Sequence, residues 1–174
     1  MSSETLSFPD LNKVFPSTET GPKPIQMSPT GKPRVLIGDS DPIYTLATFE
    51  LLVRAGCEVV VAETGTDAIA ELRKADHPLV AILDCKLSGM NGWEICGRMR
   101  DAEKIIYLIL TGENPTTEEI VTGLESGADL YLPKSIPTGQ LLAYVNVGVR
   151  SGTHHRILLE QRNKWDAPAV SING

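Results

Sequence analysis

The chain has 174 residues, room for one globular domain with some tens of residues to spare. At 41% hydrophobic and 22% charged its composition is that of an ordinary soluble protein, and a formal net charge of -6 carries none of the basic footprint of nucleic-acid binding. No apolar run approaches the ~18 residues of a membrane span, and the N-terminus lacks the basic-then-apolar plan of a signal peptide. Neither nucleic acid nor membrane is therefore an expected partner, and the expected setting is cytoplasmic. Cys57, Cys85 and Cys96 lie inside apolar segments without CxxC or Cys/His spacing. They read as reduced, packed thiols rather than a disulfide framework or a zinc site.

Residues 1–32 are rich in Ser, Thr and Pro and lack the periodicity of a helix or a strand. Too little apolar surface is available there to offset the ordering entropy. The stretch reads as a flexible N-terminal arm outside the core, with Phe8, Leu11, Val14 and Phe15 able to dock as a short turn. From Pro33 the texture changes. "RVLIG" (34–38) is a short apolar run ending at "DSD", and Pro42 opens a helix over 42–55 that Gly56 stops. "EVVVA" (58–62) precedes a helix from Thr64 to about Ala75. "LVAIL" (79–83) precedes Asp84, and a helix runs from Gly92 to about Arg100. "IIYLIL" (105–110) leads into Thr111 and a helix from Thr116 to Ser126. "DLYL" (129–132) precedes Pro133-Lys134, and a last helix starts near Pro137.

Five strands that are apolar almost throughout, each followed by a helix, suit a parallel sheet covered on both faces. The expected fold is α/β: a five-stranded, parallel, doubly wound sheet of flavodoxin-like, three-layer αβα type. In such sheets the functional site lies beyond the carboxyl ends of the strands. Asp39, Ser40 and Asp41 follow the first strand, Asp84 the third, Thr111 the fourth and Lys134 the fifth. Any one alone is unremarkable, since an Asp after a strand is most often a cap or turn former. Their joint occurrence at one rim points to chemistry. Clustered carboxylates attract a cation, and hard oxygen ligands select Mg²⁺. A divalent ion beside a carboxylate lets it act as nucleophile toward a phosphoryl group, whose oxygens a Lys and a Thr hydroxyl can hold.

At these residues the segment 33–150 resembles the receiver domain of the two-component response-regulator family. "VLIGDSDP" is similar to its first-strand acidic motif and "AILDCKLSGMNGWEICGRMR" to its phosphoacceptor strand, loop and helix. "LILTGEN" and "GLESGADLYLPKS" resemble its Thr/Ser strand and its aromatic and lysine region. The resemblance implies Asp84 as phosphoacceptor, with Asp39, Asp84 and the Lys86 backbone carbonyl in the Mg²⁺ pocket. Thr111 would move toward the phosphoryl group, Tyr131 would be the coupled aromatic, and Lys134 would pair with phosphate oxygens. A histidine kinase or phosphotransfer protein would be the donor, and a downstream protein the target.

Three positions depart from the family pattern. Ser40 stands where a second acid is usual, and Asp41 is the residue able to compensate through a water. Ser88 and Ser135 replace two prolines. Beside the phosphoacceptor reading stands a phosphorylation-independent pseudo-receiver, an interaction module for which Ser40 is the main support. A phosphatase of the haloacid-dehalogenase type, reading Asp39-Ser40-Asp41 as DxD, lacks the acidic pair that its mechanism needs after the lysine.

Two surfaces carry alternatives. In the first helix Tyr44, Ala47, Thr48 and Leu51 are expected to cover the sheet. Leu46, Phe49 and Val53 form a second apolar stripe, which is either a wide core stripe or a docking patch for a phosphotransfer domain, the arm or a second copy. The last helix is expected to pack over 137–150, break near a glycine and continue as a charged helical extension and tail over 151–174, with no output domain following. His154-His155 reads as solvated loop. The spare stripe and the extension together would allow a homodimer.

Overall fold

Alternation along each strand decides how the layers form. Val35 and Ile37 face one layer of helices while Leu36 faces the other; Val80 and Ile82 alternate with Ala81 and Leu83, and Ile109 with Leu108 and Leu110. Successive strand side chains point to opposite faces, so a run apolar on both must be covered on both. The computed structural model describes residues 32–74, 80–102 and 104–165. The elements are β1 (Arg34–Gly38), α1 (Pro42–Arg54), β2 (Glu58–Ala62), α2 (Gly65–Arg73), β3 (Val80–Asp84), α3 (Gly92–Asp101), β4 (Tyr107–Gly112), α4 (Thr117–Glu125), β5 (Leu130–Pro133) and α5 (Thr138–Trp165). The arm, the segment holding Ala75 and Leu79, and the tail beyond Trp165 lie outside the described residues.

All strands are parallel, in the order β2-β1-β3-β4-β5. The chain leaves β1 toward one edge and returns through β3 toward the other, so the switch point lies between the carboxyl ends of β1 and β3. On one face α2, α3 and α4 supply Ile69, Leu72, Ile95, Met99 and Ile120; on the other α1 and α5 supply Leu52, Leu141 and Val145. This is the three-layer αβα architecture. Cys57, Cys85 and Cys96 are free and buried.

Caps follow the sequence closely. Thr64, Asn91 and Thr116 cap α2, α3 and α4, the last two as full capping boxes with Glu94 and Glu119. Gly127, at φ 106°, ends the turn after α4, and a Cβ there would stand 2.5 Å from Arg100 Cγ. That close approach lets Arg100 donate from Nε to the Gly127 carbonyl and from Nη2 to Asp129, whose carboxylate also accepts from the Leu108 amide.

Two expectations need correction. Thr48 and Leu52 are the buried residues of α1, with Tyr44 and Leu51 half-buried, whereas Ala47 is exposed. The core-facing arc is centred on Thr48, and Ala47 lies about 100° around the helix from it. The last helix has no break: α5 runs without interruption through Gly148, Gly152, His154 and His155, so the two histidines are helical. Gly148 and Gly152 are both buried, and a Cβ at Gly148 would lie 2.6 Å from Tyr107 Cδ1. The Gly148 position serves close packing, which propensity by itself does not distinguish from a break.

Candidate phosphoacceptor site

Parallel strands deliver their last residues to one rim. Asp84 ends β3 with its Cα in register with Thr111 of β4, and the Lys134 amide, just past β5, donates to the Gly112 carbonyl. Asp39 follows β1 and is 2% exposed; its Oδ1 accepts from the Asp41 amide at 2.8 Å. From the far edge Lys134 reaches back, so that Nζ stands 2.8 Å from Asp39 Oδ2 and 2.8 Å from Asp84 Oδ2. The fold thus joins two of the three strand-end aspartates through one ammonium.

Burial pushes the Asp39 carboxyl above its ordinary range, against the opposing pull of Lys134. Burial would lower Lys134, but its contacts with the two carboxylates win and hold it well above the usual lysine value. A residue that the sequence reading placed only on a core face also belongs here. The Tyr44 ring centroid lies 5.0 Å from Lys134 Nζ, within cation–π range. Tyr44 is the second residue after Pro42, and no motif marks it.

The third aspartate does not join. Asp41 is the N-cap of α1, its Oδ1 accepting from the amides of Ile43 and Tyr44 at 2.9 and 3.4 Å, and Ser40 is exposed. An Asp just before a helix-opening Pro was the signal for that cap. Among the described residues no three His, Cys, Asp or Glu side chains are grouped to hold a metal ion. The donor set that remains still fits Mg²⁺, which is commonly held by one or two carboxylates and otherwise keeps its waters. Asp39 and Asp84 already converge on one cation, the Lys134 ammonium. The Lys86 amide donates to Asp84 Oδ1 at 2.9 Å, which sets its backbone beside the same carboxylate.

Thr111 is fully buried, and its hydroxyl donates to the Leu83 carbonyl at 3.3 Å rather than to Asp84. Tyr131 is turned inward and 7% exposed. Its ring fills a hollow left by two glycines, since a Cβ at Gly123 would lie 2.7 Å from its Cδ2 and one at Gly112 2.7 Å from its hydroxyl. Burial, then the neighbouring Cys85 thiol, drive its pKa far up. Gly112, Gly123 and Cys85 were not singled out as site residues. Only the tertiary contact with Tyr131 reveals them. On α1, Leu46, Phe49 and Val53 are 60%, 37% and 46% exposed, so the wide core stripe is not what forms. The Lys134–Ser135 bond is trans, as are all peptide bonds of the described residues.

Residues 35–146 match the sequence model of the response regulator receiver domain. The chain belongs to that family. Over 118 residues this receiver is 36% identical to the transcriptional regulatory protein AfsQ1 of Streptomyces coelicolor, covering 68% of this chain and 51% of that protein. It therefore spans about half the length of this curated relative. The signal receiver domain of the response regulator NarL from Mycobacterium tuberculosis superposes with a TM-score of 0.65 at 25% identity, over 68% of this chain and 97% of that one. A CheY-like response regulator receiver domain from Methanospirillum hungatei gives 0.65 at 25% identity, over 71% and 98%. The rim described above is thus part of a receiver domain of the two-component response-regulator family.

Proposed function

We propose that this receiver is a phosphoacceptor in which Asp84 takes a phosphoryl group from a phosphohistidine of a histidine kinase or phosphotransfer protein. The observation that supports it is the Lys134 ammonium held 2.8 Å from both Asp84 and Asp39 at the switch point of the sheet. An Asp84 carboxylate oxygen attacks phosphorus in line, the P–N bond breaks, and the imidazole leaves with the bonding pair and a proton from solvent. The product is an acyl phosphate. Lys134 pairs with its new oxygens, and the Thr111 hydroxyl exchanges the Leu83 carbonyl for one of them. Asp39, Asp84 and the Lys86 carbonyl would hold Mg²⁺, which when bound screens the charge of the incoming group. The shift of Thr111 and Tyr131 alters the surface of α4, β5 and α5 for a downstream protein or a second copy. The module is a switch rather than an enzyme in its own right, and a cytoplasmic setting follows from that role.

A second reading, the pseudo-receiver, is favoured by exposed Ser40 and by Asp41 being spent on a helix cap. Intact mass after incubation with acetyl phosphate separates the two. One phosphoryl adduct, requiring Mg²⁺ and absent from Asp84→Ala, is the expected result. A folded protein that gains no adduct and binds no beryllofluoride is a pseudo-receiver.

A further inference from the structure

The face of α1 turned from the core ends at a groove. Leu46 and Phe49 on α1 and Val61 on β2 line a cavity of about 230 Å³ that opens beside Asp39 and Ser40. Val61 is 41% exposed although it lies in a strand, because β2 is the sheet edge and α1 does not reach across it. Val53, 46% exposed, continues the apolar strip toward the C-terminal end of α1. Exposed apolar surface gathered along one helix face and leading into a groove marks an interaction site.

The chain's own path brings one segment within reach of it. The Pro33 carbonyl accepts from the Glu58 amide at 2.9 Å, and only three residues separate Arg54 from Glu58. Residues 1–31 therefore join the fold at the Val53 end of the strip. Between Phe15 and Pro33 the linking chain can span up to ~60 Å, at about 3.3 Å per residue. The strip is no longer than α1, whose 13 residues rise ~20 Å. Within reach the arm carries "FPDLNKVF" (8–15), with Phe8, Leu11 and Phe15 at i, i+3 and i+7 and Val14 beside them. It is the arm's densest apolar cluster. Lys13, between Leu11 and Val14, offers a cation to the exposed Glu63 at the groove's rim, while Asp10 keeps the segment neutral overall.

We infer that the segment Phe8–Phe15 of the same chain docks on α1 and the β2 edge, seating its apolar side chains in the groove next to the acidic pocket. The interaction does not depend on phosphoryl transfer at Asp84.

Paramagnetic relaxation on the full chain tests it. Cys57, Cys85 and Cys96 are at most 7% exposed, so a spin label on a Ser17→Cys variant attaches at the new thiol. Loss of methyl signal intensity at Leu46, Val53 and Val61 within the labelled chain is the expected result. That loss disappears when Phe8, Leu11, Val14 and Phe15 are all changed to Ser. Mixing spin-labelled chains with isotope-labelled, spin-free ones reads contact between copies. Signal loss in that mixture assigns the groove to a second copy and overturns the inference. Intact signals in every sample leave the groove to another protein, and loss that survives the four substitutions means the segment is not what binds; either outcome also overturns it.

Discussion

Neither Ser40 nor Asp41 places a second carboxylate beside Asp39. Ser40 is neutral and exposed, and Asp41 turns its carboxylate onto the first amides of α1. If the cap is its whole role, Asp41→Asn keeps it, because Asn caps as well as Asp, while Asp41→Ala costs about 1 kcal/mol of stability. Neither change then alters Mg²⁺ affinity, which titration calorimetry reads directly; a drop in affinity in Asp41→Asn assigns it a metal role through water. Ser40→Asp adds a third carboxylate to the pocket and is expected to tighten Mg²⁺ by about tenfold, or ~1.4 kcal/mol. The sequence alone displays the departure at Ser40. It does not display where Asp41 points, because a cap and a ligand call for the same residue type in the same place.

Helix α5 illustrates the same ambiguity at the level of an element. Two glycines in mid-sequence read as a break, since each costs about 1 kcal/mol relative to Ala in a helix interior. In the fold Gly148 lies against Tyr107, with Cβ, Cγ and Cδ1 of that ring residue at 2.9, 2.7 and 2.6 Å from where a methyl would be. These atoms are near the Tyr107 backbone and cannot swing away cheaply. The overpacking cost of ~1–3 kcal/mol therefore exceeds the propensity gain, and Gly148→Ala should lower the urea midpoint. Gly139, in the first turn of the same helix, is exposed with nothing within 4 Å of its missing methyl. Gly139→Ala should raise the midpoint, reflecting a gain in stability of up to about 1 kcal/mol. The strands were more legible than the helices. An uninterrupted apolar run of about five residues between turn residues has few other uses, and β1 and β2 begin and end where the run does.

For the molecule as a whole, the ionisable groups buried in the fold mostly lie on the alkaline side. Burial pushes the fully buried Cys96 thiol from its ordinary 9.0 up to about 12. Lys134 and Tyr131 are raised as well. Each of these groups binds its proton more tightly folded than unfolded. Their contributions are complete below the unfolded pKa and are lost as pH rises through the folded one. Stability should hold near neutrality, begin to fall above pH ~9 as unfolded chains lose the protons of Cys96 and of the likewise raised Cys57 and Cys85 thiols, and fall faster above ~10, with Cys96 worth up to about 4 kcal/mol by pH 12. Urea midpoints across that range measure it, and Cys96→Ala should flatten the first part of the decline. The layered α/β fold, the rim that holds the site and the residues standing on it were all decided by local sequence. Apolar runs specify strands that must be covered twice, and parallel strands bring their last residues to one edge. Which of those residues meet was decided only by tertiary structure. Lys134, just past the edge strand β5, reaches Asp84 at the end of β3 and Asp39 after β1. Tyr131 turns inward only because two distant glycines leave room for its ring. The spare face of α1 is exposed because the sheet ends at β2. Each is a contact between segments far apart in the chain, set by volume and distance, and no local pattern encodes either.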